Sequence, residues 1–146
     1  MVRLGESVKF PTLLRAEMLK TLGLAVGATA LLAAVIYVLR EWIVRLLFSS
    51  AFLPVVDLIP VQLVGDLFRI TAHVLGFVLV AVLRSRWYIS IQVLVPLAFV
   101  GIARLLATDM GVHGVTAAYA ISSFFHCIIS IIALRDMLFF RDGRRQ

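Results

Sequence analysis

Cysteine is all but missing from this chain of 146 residues: Cys127 stands alone. No disulfide can therefore form within the chain, and no thiolate metal centre can be built from it. Placed inside an apolar run, Cys127 reads as a small buried hydrophobe. Charge is scarce as well, at 15% of residues. Enzyme signatures are absent: there is no glycine-rich phosphate loop, no GxSxG, no HExxH and no pair of carboxylates spaced for acid–base work. The three histidines, His73, His113 and His126, are spread over two apolar segments without metal-ligand spacing. No catalytic residue, cofactor or metal is expected, and a lipid-phosphate enzyme embedded in the membrane is the one catalytic alternative left.

What the chain has in excess is apolar side chains. They make up 62% of the residues, with a mean hydropathy of +1.07, against ~45–50% in soluble domains. A soluble core of this length could not hide them, whereas ~20 consecutive apolar residues suffice for a helix to span hydrocarbon. The chain is read as an integral membrane protein. Its net charge of +6 comes from basic residues lying between and beside the hydrophobic runs, a topological pattern that does not call for nucleic acid. The first 20 residues, MVRLGESVKFPTLLRAEMLK, hold four basic and two acidic side chains and do not resemble a cleavable signal peptide.

Four spans are expected. The first is 21–39, uncharged and rich in glycine and alanine. Its Gly23, Gly27, Ala30 and Ala34 share a face suited to close helix packing. Residues 1–20 form a lead-in whose LLRAEMLK segment is amphipathic and suited to the cytoplasmic membrane surface. From Arg40 to Gln62 charges and prolines interrupt the apolar character too often for a span, so an interfacial turn anchored by Trp42 is expected, with Pro60 opening the next helix. The second span is 61–83. The third is 87–106, with Pro96 inside it, followed by a turn at ATDMG. The fourth is 112–134, and 135–146 form a basic tail.

Ten basic residues (Arg3, Lys9, Arg15, Lys20, Arg84, Arg86, Arg135, Arg141, Arg144 and Arg145) fall on the side of the termini, against Arg40, Arg45 and Arg104 on the other. By the positive-inside rule both termini are cytoplasmic. The whole reads as one all-α, four-helix membrane bundle.

The second span carries a polar stripe. Gln62, Asp66, Arg69 and His73 fall within roughly 60° of one helix face. A charge at mid-helix costs ~2.5–3.5 kcal/mol, so such residues face a bundle interior or a wet cavity. Asp66 and Arg69, three apart, are placed to pair, and His73 can titrate near neutral pH. Two readings stand: an ion pair fixing helix packing, with Gln62 and His73 satisfying backbone groups, or the wall of a hydrated cavity meeting an anionic or sugar-bearing substrate or a coupling proton. The fourth span has a weaker stripe at Thr116, Tyr119, Ser123, His126 and Ser130, within roughly 80°. Its Tyr119, Ser123 and His126 are candidates for a second wall, although serine and threonine in membrane helices commonly serve as interhelical glue.

The pieces LFSSAFLPVVDLIPVQLVGD (Leu47 to Asp66), Arg69, Gly76, the turn RSRWYI and the helix opening GVHGVTAAYA (Gly111 to Ala120) together resemble the late helices of Wzx-type polysaccharide flippases. Within the multidrug/oligosaccharidyl-lipid/polysaccharide superfamily they look like the lipid III flippase branch. The resemblance implies that the four spans are the last four helices of a twelve-helix, two-lobed protein. It implies transport of undecaprenyl-diphosphate-linked oligosaccharide, a lipid III or O-antigen unit, across the bacterial cytoplasmic (inner) membrane for cell-surface polysaccharide synthesis. Gln62, Asp66 and Arg69 match the family's helix opening; His73 rests on the helical argument alone. A four-helix piece cannot enclose a cavity between two lobes, so the resemblance implies a C-terminal portion that needs the N-terminal lobe, a partner chain or self-association. Membrane lipids are the surrounding partners. Two other readings remain: an accessory or scaffold subunit without transport activity, and a small homo-oligomeric exporter of cationic compounds.

Overall fold

The computed structural model describes residues 10–48, 50–81 and 85–135, and among them every element is helical. Helix α1 covers Phe10–Leu47, a short 3-10 helix covers Ser50–Asp57, and α2 (Ile59–Ala81), α3 (Ser85–Met110) and α4 (Val112–Ala133) follow. Each of the four α-helices contains a segment long and apolar enough to cross a membrane. The chain is an all-α, multi-pass membrane bundle. The lead-in before Phe10, Arg84 of the RSR turn and the basic tail after Arg135 lie outside the described residues.

Helix α1 does not stop where its uncharged run does. It takes in the segment before Thr21 and continues through Arg40 to Leu47, 38 residues in all, or ~57 Å at the helical rise. The reasons are local. Glu17 and Lys20 pair at 3.0 Å and Glu41 and Arg45 at 3.6 Å, so each end carries an ion pair one turn apart. Leucine, glutamate and arginine, prominent between Arg40 and Leu47, also lose little rotamer freedom in a helix. The change of direction is confined to the stretch after Leu47, where Pro54 sits inside the 3-10 helix. Pro60 occupies the first turn of α2, where its missing N–H is not needed.

At the other turn α3 runs on through Thr108 and Asp109 to Met110, and the reversal shrinks to Gly111. Its φ of 56° and ψ of −131° form a combination reserved in practice for glycine. The Gly111 N–H donates to the Ala107 carbonyl at 3.0 Å, closing α3, and the Gly111 carbonyl accepts from Gly114 N–H at 3.1 Å, opening α4.

Contacts run α1 on α2, α2 on α4 and α4 on α3, with α2 and α3 meeting only slightly. The order across the bundle is therefore 1-2-4-3, and α2 and α4 hold the interior. An apolar core of Met18, Leu75, Val78, Leu79, Ile91, Ala133 and Leu134 gathers the start of α1, the end of α2, the start of α3 and the end of α4. That grouping is what up-and-down connection by short turns requires. The outer helices leave Leu24, Leu31 and Val38 of α1 and Leu94, Leu97 and Leu105 of α3 exposed, as suits helices in contact with hydrocarbon.

Small residues set the close approaches, but not all those expected. Gly23 and Gly27 meet nothing within 4 Å, and Ala30 and Ala34 are exposed, so the face they share is open among the described residues. Helix α1 buries Ala33 instead. The tight contacts belong to Gly65, whose missing Cβ leaves room for the Tyr119 ring, and to Gly114, which lies against the Leu106 carbonyl of α3.

A side chain at position 114 would collide with backbone that cannot rotate away. Overpacking of this kind costs ~1–3 kcal/mol, so Gly114→Leu should lower the melting temperature of the detergent-solubilised chain by several degrees. Gly101→Leu, with open space around it, should leave it unchanged. Equal melting temperatures for the two variants would refute the α3–α4 contact.

Candidate functional site

The polar stripe of α2 meets the stripe of α4. Asp66 is half-buried, and its Oδ1 accepts a hydrogen bond from the Tyr119 hydroxyl at 2.5 Å. Two turns further along both helices the His73 and His126 rings meet edge to face, centroids 5.7 Å apart. The two facing pairs are seven residues apart on each helix, so α2 and α4 run in parallel with a constant register, the periodicity of left-handed helix pairs. Gly65 explains why the register locks there. A Cβ on it would come within 2.6 Å of the Tyr119 ring and 3.2 Å of Ala120 Cα. Phe68 and Phe124 add an edge-to-face contact at 5.2 Å beside the polar pairs.

Arg69 takes a different partner from the one its spacing suggests. Glu17–Lys20 and Glu41–Arg45 form ion pairs on α1, whereas Asp66 and Arg69 are not joined. Instead, the Arg69 guanidinium lies over the Tyr119 ring, 5.4 Å from its centroid, while the hydroxyl of that ring holds Asp66. A tyrosine has come between the two charges: its hydroxyl meets the anion and its π face the cation. Arg69 is exposed and close to the middle of α2.

His73 Nδ1 is 2.8 Å from the Arg69 carbonyl oxygen. A carbonyl can only accept, so Nδ1 is the donor in this bond. His126 is 7% exposed. Between Tyr119 and His126 lies Ser123, also buried.

The structure shows no side-chain contact of the remaining stripe residues with Asp66, Tyr119 or the two histidines. Gln62 is exposed in the first turn of α2, its backbone N–H bonded to the Leu58 carbonyl at 3.1 Å. The Thr116 hydroxyl donates to its own helix, at the Val112 carbonyl, 3.1 Å away. Ser130 is fully buried, and its hydroxyl finds no partner among the described residues. Two contributors escaped the stripe arithmetic. Ser122 donates to the Tyr119 carbonyl at 3.0 Å, and Gly65, adjacent to Asp66, makes the space for Tyr119. Among the described residues no three histidine, cysteine, aspartate or glutamate side chains converge as a metal site would require.

The seam can thus do two things chemically. It fixes α2 against α4, and it presents a guanidinium, backed by an aromatic ring and a half-buried carboxylate, to whatever lies outside the α2–α4 pair.

No family model matches the chain, and no solved structure matches it. Among curated proteins it is similar to the lipid III flippase of Escherichia coli (strain K12), at 31% identity over 103 residues, and to that of Shigella flexneri at the same identity and length. The matched stretch is 70% of this chain and 25% of each flippase, so the chain spans about a quarter of the length of the curated relatives it matches. Over that stretch the chain is flippase-like, a partial match to the lipid III flippases.

Proposed function

We propose that this chain forms one wall of a cavity through which an oligosaccharide linked to undecaprenyl diphosphate crosses the bacterial inner membrane. A lipid III or O-antigen unit is the class of cargo, and supply of cell-surface polysaccharide is the purpose. The observation that carries this reading is Arg69: exposed near the middle of a membrane-spanning helix, without a carboxylate partner among the described residues, and supported from behind by Tyr119. A guanidinium so placed is suited to a diphosphate or an acidic sugar. Gln62, exposed earlier on the same helix, offers a neutral donor and acceptor to sugar hydroxyls. His73 lies deeper, and Tyr119, Ser123 and His126 supply the α4 side of this wall, Ser123 and His126 from buried positions. The partial match to lipid III flippases supports sugar-linked lipid over other cargo.

The role is transport rather than catalysis. A single row of four helices has no opposite wall, so the cavity needs the N-terminal lobe of a longer protein or a second copy of this one. The distribution of basic residues supports an orientation with both termini in the cytoplasm. One observation favours a scaffold role instead: Asp66 and His73 already have partners inside the chain.

Binding separates the two readings. The full chain in lipid nanodiscs is titrated with a fluorescent polyprenyl-diphosphate sugar. Arg69→Ala should weaken binding by about tenfold or more, since hydrogen bonds to charged groups contribute ~1.5–3 kcal/mol. Arg69→Lys should weaken it less, and Arg104→Ala, outside the seam, should have no effect. Parent-like binding by Arg69→Ala would reduce the seam to a packing device.

Tyr119→Phe tests the support behind Arg69. It keeps the ring but leaves the half-buried Asp66 carboxylate without its donor, which should cost ~1–3 kcal/mol and lower the melting temperature in detergent. Adding Asp66→Leu to Tyr119→Phe removes both partners and should recover most of the loss. An unchanged melting temperature for Tyr119→Phe alone would show that Asp66 does not depend on the hydroxyl.

A further inference from the structure

A separate polar cluster lies on α1, where Tyr37, Val38, Arg40, Glu41, Trp42 and Arg45 line an open cavity of about 460 Å³. Arg40 is half-buried. Its guanidinium carbon stands 4.2 Å from the Tyr37 ring centroid, and its Nη1 donates to the Tyr37 carbonyl oxygen at 3.5 Å. Arg45 Nη2 lies 3.6 Å from Glu41 Oε2. Both guanidiniums are held by their own helix through one edge, which leaves the rest of each one's five N–H donors to offer. Two cations face one carboxylate, and Trp42, 65% exposed, stands beside them.

Depth decides what such a cluster meets. The uncharged run of α1 ends at Leu39, and Arg40, Glu41 and Arg45 come directly after it. The chain does not then turn polar. Leu46, Leu47, Phe48, Phe52 and Val55 are all exposed, and Phe48 and Phe52 lie against each other with centroids 5.5 Å apart. A helix carrying its charges out into bulk water would not be followed by an exposed apolar corner. Charges bracketed by exposed apolar residues, with tyrosine and tryptophan among them, belong in the headgroup layer. The anion available there is lipid phosphate, which the planar fork of arginine takes in two-point contact.

We propose that Arg40 and Arg45, walled by Tyr37 and Trp42, form a binding site for the headgroup of an anionic phospholipid. Tyr37 and Glu41 hold the two guanidiniums in place before the lipid arrives. The site is independent of whatever passes the α2–α4 seam. A plain aromatic belt would anchor α1 with no preference between anionic and zwitterionic lipids, and that difference makes the site testable.

The probe is Trp42 itself. In the full chain carrying Trp87→Phe, Trp42 is the sole tryptophan. This chain is reconstituted in phosphatidylcholine vesicles containing an equal mole fraction of either brominated phosphatidylglycerol or brominated phosphatidylcholine, whose bromines quench nearby tryptophan. The anionic lipid should quench as though enriched about fivefold for each arginine. Arg40→Gln with Arg45→Gln should bring the two lipids level while leaving quenching by phosphatidylcholine, which reports depth, unchanged. Arg40→Lys with Arg45→Lys keeps charge without the planar fork and should retain part of the preference. Millimolar inorganic phosphate distinguishes a lipid site, which keeps its preference, from a free-anion site, which loses it. Equal quenching by the two lipids in the parent chain, a preference that survives both glutamines, or one erased by inorganic phosphate would each overturn the proposal.

Discussion

A carboxylate inside a membrane helix must find a donor, and in this chain Asp66 finds the Tyr119 hydroxyl. Much of the interior follows from that bond. To reach Asp66, the ring must pass close against α2, which only a residue without a side chain at position 65 permits. With α2 and α4 held at that separation, the next facing pair, seven residues on, brings His73 onto His126. The same ring then offers its face to Arg69. One tyrosine thus sets a helix spacing, satisfies an anion and carries a cation, and none of the three would survive a shift of register by one residue.

Small residues do the rest of the positioning. Gly114 lets α4 lie against the Leu106 carbonyl of α3, and Gly111 takes a backbone conformation that makes the reversal between them as short as one residue. Between hydrocarbon tails and apolar side chains there is no hydrophobic difference to drive association, so packing and interhelical hydrogen bonds must hold the pair together. The interhelical hydrogen bond shown is Tyr119 to Asp66, and the buried residues concentrate on α2 and α4. Helices α1 and α3 meet this pair from either side and turn their leucines outward.

Periodicity made the framework legible. Apolar runs gave the four helices, the 3.6-residue repeat gave both polar stripes, and the same arithmetic placed Tyr119 and His126 on one face. It could not say that the two faces meet, because a helical wheel describes one helix at a time. For the same reason the three-residue spacing pointed Asp66 at Arg69: the competing donor was 53 positions away. Glycine misled in a related way. Gly23 and Gly27 look like packing residues and touch nothing, while Gly65 and Gly114, less conspicuous in the sequence, make the closest approaches. Whether a small residue is used depends on what stands opposite, and composition carries no record of that. The end of α1 was missed because hydropathy falls at Arg40 whereas helix propensity does not.

Arg69 is where the balance of energies fails to close within the chain. A guanidinium near the centre of a span costs ~2.5–3.5 kcal/mol. A cation–π contact at an exposed position returns ~0.5–1 kcal/mol, and the neighbouring carboxylate is engaged with the tyrosine instead. From the middle of a 23-residue helix the side chain has some ten residues, ~15 Å, to cover before reaching either membrane surface, too far to snorkel. The shortfall falls on one face of the α2–α4 pair. Lipid tails cannot make it up, since they offer no acceptor. Water in a cavity, an anionic group in transit or the polar face of another helix can, and all three place something other than lipid against Arg69. The bundle is therefore sided: α1 and α3 present surfaces that hydrocarbon suits, and the α2–α4 seam presents one that it does not.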